Sequence, residues 1–243
     1  MIELRDVSKS YSLTSNAKQR VLALDKANLI INKGDFVSLV GPSGAGKSTL
    51  IRLLIAEEKP DHGSILVADR DIAALKSKEL PYYRRKIGVV FQDFKLLPAK
   101  TVWENIAFAL EVSDVPSLEI KDRVPRILTL VGLADKADNY PSELSGGEKQ
   151  RVAIARAMIH SPRILIADEP TGNLDPETTW EIVELLERIG RSGTTIILAT
   201  HNKAVVDKLK RRVVAVEHGR IVSDEKVGKY IVPSEVAAKE GEL

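Results

Sequence analysis

The sequence predicts an α/β fold: a mixed, largely parallel sheet flanked by helices, with a helical segment inserted into it. Three observations carry that expectation. Short apolar runs at Phe36 to Val40, Ile87 to Phe91, Arg163 to Ala167 and Thr194 to Ala199 have the length and continuity of strands buried on both faces. Between them, above all from Asp93 to about Ile159, apolar residues recur at the three- and four-residue spacing of helices. Two of the strand ends carry chemistry: a glycine loop after Val40 and a carboxylate pair after Ala167.

Of 243 residues, 44% are hydrophobic and 29% charged, enough for one compact α/β domain or two closely packed subdomains. Thirty-six basic against thirty-four acidic residues leave a net charge of +2, so the balance gives no reason to expect a nucleic-acid partner. With no cysteine, the chain has neither disulfides nor thiolate metal sites, which fits a reducing compartment. The start has no signal-peptide core and no run approaches 18 apolar residues, so a soluble, cytoplasmic protein is expected.

Met1 to Val7, Ala27 to Ile31 and Phe36 to Val40 read as strands, with Asn32 to Asp35 a turn between the last two. Tyr11 is expected just beyond the first strand, where an aromatic ring could stack on a purine; Ser12 to Arg20 reads as an exposed polar loop. The segment Gly41-Pro42-Ser43-Gly44-Ala45-Gly46-Lys47-Ser48-Thr49 joins a strand to the helix beginning near Leu50. Gly41, Gly44 and Gly46 allow a tight nest of inward-facing N–H groups for a polyphosphate. Lys47 then reaches the β and γ phosphates, and Ser48 offers its hydroxyl to Mg²⁺.

Lys59 to Gly63 is turn chemistry before a strand at Ser64 to Ala68. His62, His160 and His218 read as solvated turn residues, and Arg84-Arg85-Lys86 as a solvated basic face. Helices are expected at Val102 to Val112, Leu118 to Val131 and Gly147 to Ile159. Ser145, Gly146 and Gly147 open the third with a free helix N-terminus; a cap alone would explain Ser145, but the double glycine is more than a cap needs.

Asp168 and Glu169 close the strand that ends at Ala167, at the sheet edge where α/β proteins place ligands. Asp168 suits Mg²⁺ held through water, and Glu169 suits polarising an attacking water. Thr171 to Pro176 is a loop, with Asp175 or the preceding turn starting a helix to about Ile189. His201 follows another strand end, which favours a functional role. Val213 to Glu217 and Arg220 to Ser223 read as a terminal hairpin, and the last ten or so residues are expected to be poorly ordered.

Taken together these motifs, in this order, resemble the ATP-binding cassette family over residues 1 to about 225. The resemblance implies a P-loop NTPase core, 1–92 and 160–225, with an antiparallel β subdomain, plus an inserted helical subdomain, 93–159, and a tail, 226–243. It makes Gly41 to Thr49 the phosphate loop, Gln92 a metal-sensing glutamine, and Leu144 to Glu148 the family signature. It makes Ile164 to Asp168 the strand bearing the metal-site aspartate, Glu169 the general base, Asp175 an interface aspartate, His201 a γ-phosphate sensor and Tyr11 the adenine-stacking aromatic. ATP and Mg²⁺ are the implied cofactors. It also implies a head-to-tail homodimer in which Ser145, Gly146 and Gly147 close over nucleotide held by the other subunit, an arrangement that a lone free helix end also suggests.

Phe91 to Pro98 with Thr101 to Val112 look like the cell-division branch of the family, and the run DEPTGNLD (Asp168 to Asp175) is shared by that branch and its relatives in lipoprotein release and export. That branch implies an integral membrane partner received in a groove near Phe94 to Trp103. Two features depart from that branch: the loop Ser12 to Arg20 is longer than it leads one to expect, and Val21 to Leu24 resemble the lipoprotein-release branch. A nucleic-acid ATPase is disfavoured by the single cassette and near-neutral charge, a non-hydrolysing scaffold by Glu169 and His201 together.

Overall fold

The structure is a computed structural model that describes residues 2–12 and 20–230. The loop expected at 12–20 lies largely outside those residues, as does the end of the tail. The chain divides into two compact units, residues 1–84 with 197–243, and residues 85–196.

In the first unit, β1 (Ile2–Ser12) pairs antiparallel with β2 (Arg20–Ile31). Both strands run longer than their sequence pattern suggests. Register shifts between Leu4 and Ser10, with left-handed backbone at Asp6 and Lys26 (φ 48° and 46°), break the alternation without ending the pairing. Tyr11 therefore lies within β1, opposite Val21. The turn before β3 (Phe36–Val40) is closed by the Asp35 carboxylate, which accepts the Asn32 N–H at 2.9 Å.

α1 (Lys47–Leu54) begins three residues before its apolar pattern, because its first turn is polar; Leu50, Ile51, Leu53 and Leu54 are buried. β4 (His62–Val67) and β5 (Arg70–Asp71) complete an antiparallel sheet of order β2-β1-β4-β5. β5 and α2 (Leu80–Arg84) are too short to leave a periodic signal. Arg84 does more than face solvent: its guanidinium donates to the carbonyls of Ile55 and Ala56 just past the end of α1.

The second unit opens with β6 (Ile87–Val90), followed by α3 (Val102–Glu111), α4 (Ser117–Val131) and α5 (Gly146–Met158). β7 (Ile164–Asp168) runs parallel to β6, Ile87 beside Ile164 and Val90 beside Ala167, and α6 (Pro176–Arg191) follows. α3, α4 and α5 pack on one another, and α5 also packs on β6 and α6. α6 buries Thr179, Ile182, Val183, Leu185, Leu186 and Ile189, one stripe at helical spacing; each large aliphatic residue removed from water contributes about 1.5–3 kcal/mol.

Asn105, fully buried on α3, bonds the backbone of Leu97, Lys100 and Thr101 and so ties the connection before α3 to the helix. His160 is not a solvated turn residue. It is half-buried after α5, and Nε2–H donates to the Ala109 carbonyl at 2.9 Å, which leaves its ring packed against the end of α3.

The chain returns to the first unit through β8 (Thr195–Ala199), then α7 (Lys203–Leu209), β9 (Arg212–Glu217) and β10 (Arg220–Glu225). β9 lies parallel to β3, with Val40 beside Ala215, and pairs antiparallel with β10. Asn202 caps α7 by accepting the Val205 N–H, a start that the pattern of seven residues did not reveal. Among the described residues no helix is long and apolar enough to cross a membrane.

Candidate functional site

In the first unit the loop after β3 is pressed between two backbone segments. A Cβ on Gly41 would lie 2.1 Å from the Val216 carbonyl oxygen, and one on Gly46 2.5 Å from that of Ala23. With φ at 147° and 112°, these positions accept only glycine. The Gly219 N–H donates to the Ala45 carbonyl at 2.9 Å, fixing the middle of the loop. Pro42, Ser43 and Gly44 form its exposed crest, with Ser48 exposed and Thr49 half-buried in the first turn of α1.

Helices α3, α5, α6 and α7 each begin with a side-chain cap, from Thr101, Ser145, Asp175 and Asn202. α1 has neither a side-chain cap nor an acidic residue in its first turn. Its N-terminal N–H groups and positive helix end are thus left for something other than the helix's own side chains. Lys47 stands at that end, only 8% exposed, and Nζ donates to the carbonyls of Gly41 (2.7 Å) and Pro42 (3.0 Å). An uncapped helix start with a buried ammonium is a donor set that fits a polyphosphate. Thr200, after β8, donates its N–H to Leu39 of β3 at 3.1 Å, so His201 emerges at the strand end where the loop begins; its side chain is exposed.

Tyr11 is half-buried, and its hydroxyl donates to Glu58 Oε2 at 2.7 Å. Burial first, then the Glu58 carboxylate, pushes the phenol pKa up, so the hydroxyl stays protonated.

In the second unit the β6–β7 register sets Gln92 and the Asp168-Glu169 pair at the carboxyl ends of adjacent strands. Glu169 holds a left-handed backbone (φ 48°), which costs a non-glycine residue about 1 kcal/mol or more. The Gly172 N–H donating to its carbonyl at 3.1 Å holds the turn. Gln92 and Asn173 bond reciprocally at 3.3 Å, amide to amide oxygen and amide to backbone carbonyl, linking the end of β6 to the loop before α6.

Asp175 caps α6. It accepts the Thr178 N–H (3.0 Å) and the Thr178 hydroxyl (2.6 Å), and these bonds hold its carboxyl below the usual range. Ser145 caps α5 reciprocally with Glu148: Oγ accepts the Glu148 N–H at 3.2 Å while Oε2 accepts the Ser145 N–H at 2.8 Å. Gly146 and Gly147 are explained by packing. A Cβ on Gly147 would stand 2.3 Å from Thr178 Cγ2, and one on Gly146 3.1 Å from Leu174 Cδ2. Farther along α5, the Arg156 guanidinium donates to the carbonyls of Phe94 (3.0 Å) and Lys95 (2.7 Å), both in left-handed conformation (φ 58° and 51°).

Tyr11, Gly41 to Thr49 and His201 thus belong to the first unit, and Gln92, Ser145, Gly146, Gly147, Asp168, Glu169 and Asp175 to the second. Sequence reasoning missed Asn173, Thr178, Arg156 and Glu58. Thr178 alone left a signal, since it stands three residues after a capping aspartate. Among the described residues no group of three or more His, Cys, Asp or Glu forms a metal cluster; Mg²⁺ with one or two protein ligands and phosphate oxygens needs none.

Residues 24–172 match the family model described as ABC transporter. The chain is 54% identical over 230 residues to the cell division ATP-binding protein FtsE of Bacillus subtilis, covering 95% of this chain and 98% of that one. It is 52% identical over 230 residues to the FtsE of Mycobacterium tuberculosis, with 95% and 98% covered. The methionine import ATP-binding protein MetN 1 of Bacillus thuringiensis is 47% identical over 228 residues, with 93% of this chain and 66% of that protein covered. Among solved structures, a dimeric post-hydrolysis state of the ATP-binding cassette MJ0796 bound to ADP and Pi superposes with a TM-score of 0.84. It has 35% identity and covers 95% of this chain and 100% of that one.

Proposed function

The chain belongs to the ABC transporter family, and from that premise we propose that it is the ATP-hydrolysing subunit of a membrane complex of the FtsE kind. It is an ATPase. In this reading it works with an FtsX-like integral membrane protein, on the cytoplasmic face of the membrane, and couples hydrolysis to activation of peptidoglycan hydrolases in cell division. The observation that carries it is identity above half with FtsE proteins over nearly the whole of both chains.

The core-and-insertion division, 1–92 with 160–225 against 93–159, is part of the proposal. Gly41 to Thr49 cradle the phosphates, with Lys47 on the β and γ groups, and Tyr11 stacks on adenine. Ser48, Asp168 and Gln92 serve the metal side. Mg²⁺, when bound, neutralises the charge developing on the phosphate oxygens. Glu169 orients and activates water for in-line attack on the γ-phosphorus, and His201 contacts the γ-phosphate as the transition state forms. Positioning and charge stabilisation carry the rate. Two chains associate head to tail on ATP; Ser145, Gly146, Gly147 and Asp175 of one meet the nucleotide of the other. Phe94 to Trp103 receives the membrane partner's cytoplasmic helix, and Arg156 holds the start of that segment.

The test is to trap the Glu169→Gln chain with ATP in its native host and identify the co-purifying membrane protein by mass spectrometry. An FtsX-like protein with four membrane spans supports the division reading. A lipoprotein-release, MacB-like or importer permease overturns it.

A further inference from the structure

The Tyr11 hydroxyl is tied to the turn that follows α1. It donates to Glu58 Oε2 at 2.7 Å, in the turn after α1. Glu58 is itself held: Oε1 lies 3.5 Å from Arg52 Nη1 on α1, and Oε2 3.6 Å from Lys9 Nζ on β1. Its side chain is 22% exposed. Lys9 in turn donates to the Lys59 carbonyl at 2.8 Å and stands 5.7 Å from the centre of the Tyr11 ring. An isolated surface ion pair would matter little. Here one carboxylate sits between two cations and spends an oxygen on a neutral phenol, which fixes the ring against the helix that starts at Lys47.

We infer that Glu58 is a positioning residue for the nucleotide base: by holding the Tyr11 hydroxyl against α1, it sets the ring where a purine stacks while the phosphates lie on the same helix's N-terminus. This rests on the proposed role of Tyr11. It places base affinity under the control of a residue that makes no contact with the base.

The test measures fluorescent ATP-analogue binding and steady-state hydrolysis for the wild type, Glu58→Ala, Glu58→Gln, Tyr11→Phe and the Tyr11→Phe/Glu58→Ala pair. Glu58→Ala weakens nucleotide binding about five- to tenfold, a loss within the range of one base–aromatic stack, and the loss falls on KM rather than kcat. Glu58→Gln, whose amide oxygen still accepts the phenol, restores most of the affinity. In the Tyr11→Phe background Glu58→Ala adds no further loss. Tripolyphosphate, which has no base, competes equally well against wild type and Glu58→Ala, because the Lys47 loop is undisturbed. Wild-type affinity in Glu58→Ala, an additive loss in the double variant, or weakened tripolyphosphate binding overturns the inference alone. A wild type that binds no nucleotide overturns the nucleotide reading and this inference with it.

Discussion

Gly147 on α5 lies so close to Thr178 on α6 that a Cβ built on it would stand 2.3 Å from Thr178 Cγ2. The Thr178 hydroxyl is at the same time bonded to the Asp175 carboxylate at 2.6 Å. The start of α5 and the start of α6 are thereby one packed assembly, and the glycine is required by close approach rather than by a turn.

Gly147→Ala should therefore push α5 and α6 apart, at a cost of about 1–3 kcal/mol, the usual range for overpacking. Thr178→Ser, which removes the opposing methyl and keeps the hydroxyl on Asp175, should recover most of the loss. Thermal unfolding of the single and double variants checks this. A Gly147→Ala chain as stable as wild type contradicts the packing account.

Lys47→Ala removes the buried ammonium from the uncapped start of α1. Nucleotide affinity should fall by roughly tenfold or more, since about 1.4 kcal/mol is tenfold and a charge-assisted hydrogen bond contributes at least that. Calorimetric titration with ATP reads it, and an unchanged dissociation constant removes the phosphate-loop assignment.

Gln150 on α5 is fully buried, and neither its amide nitrogen nor its oxygen has a hydrogen-bond partner. A buried, unpaired polar group costs about 1–3 kcal/mol. Gln150→Met, of similar length, should raise stability by about 1 kcal/mol or more on the same scale. A fall in the denaturant midpoint of that variant would contradict the prediction.

Burial holds the His160 imidazole below its ordinary pKa of about 6.5, against the opposing pull of its bond to the Ala109 carbonyl. The unfolded chain then takes up the proton first as pH falls. The contribution is complete above about pH 6.5 and is lost as pH drops through the lower, folded value. The thermal midpoint should fall on going from pH 7 to pH 5.5, and fall less in His160→Gln. Equal slopes in the two proteins would rule this out.

Much of this was legible in the sequence, for definite physical reasons. Buried parallel strands such as Ile164–Asp168 are continuous apolar runs, and helices as long as α6 repeat their stripe often enough to be read. The glycine loop after β3 is legible because Gly41 and Gly46 have no substitute. What was hidden is short or tertiary. α2 and α7 have too few residues for a period, and β1 and β2 carry bulges that scramble alternation. Glu58, Asn173 and Arg156 act through partners 47, 81 and 61 or 62 residues away in the chain, and no local pattern marks such a pair.

The measurement that tests the central claim most directly is the mass in solution of the Glu169→Gln chain with and without Mg²⁺ and ATP, read beside its hydrolysis rate. The account predicts a monomer without ATP, a stable dimer with it, and hydrolysis reduced to background. A monomer under both conditions, or turnover at the wild-type rate, would contradict it.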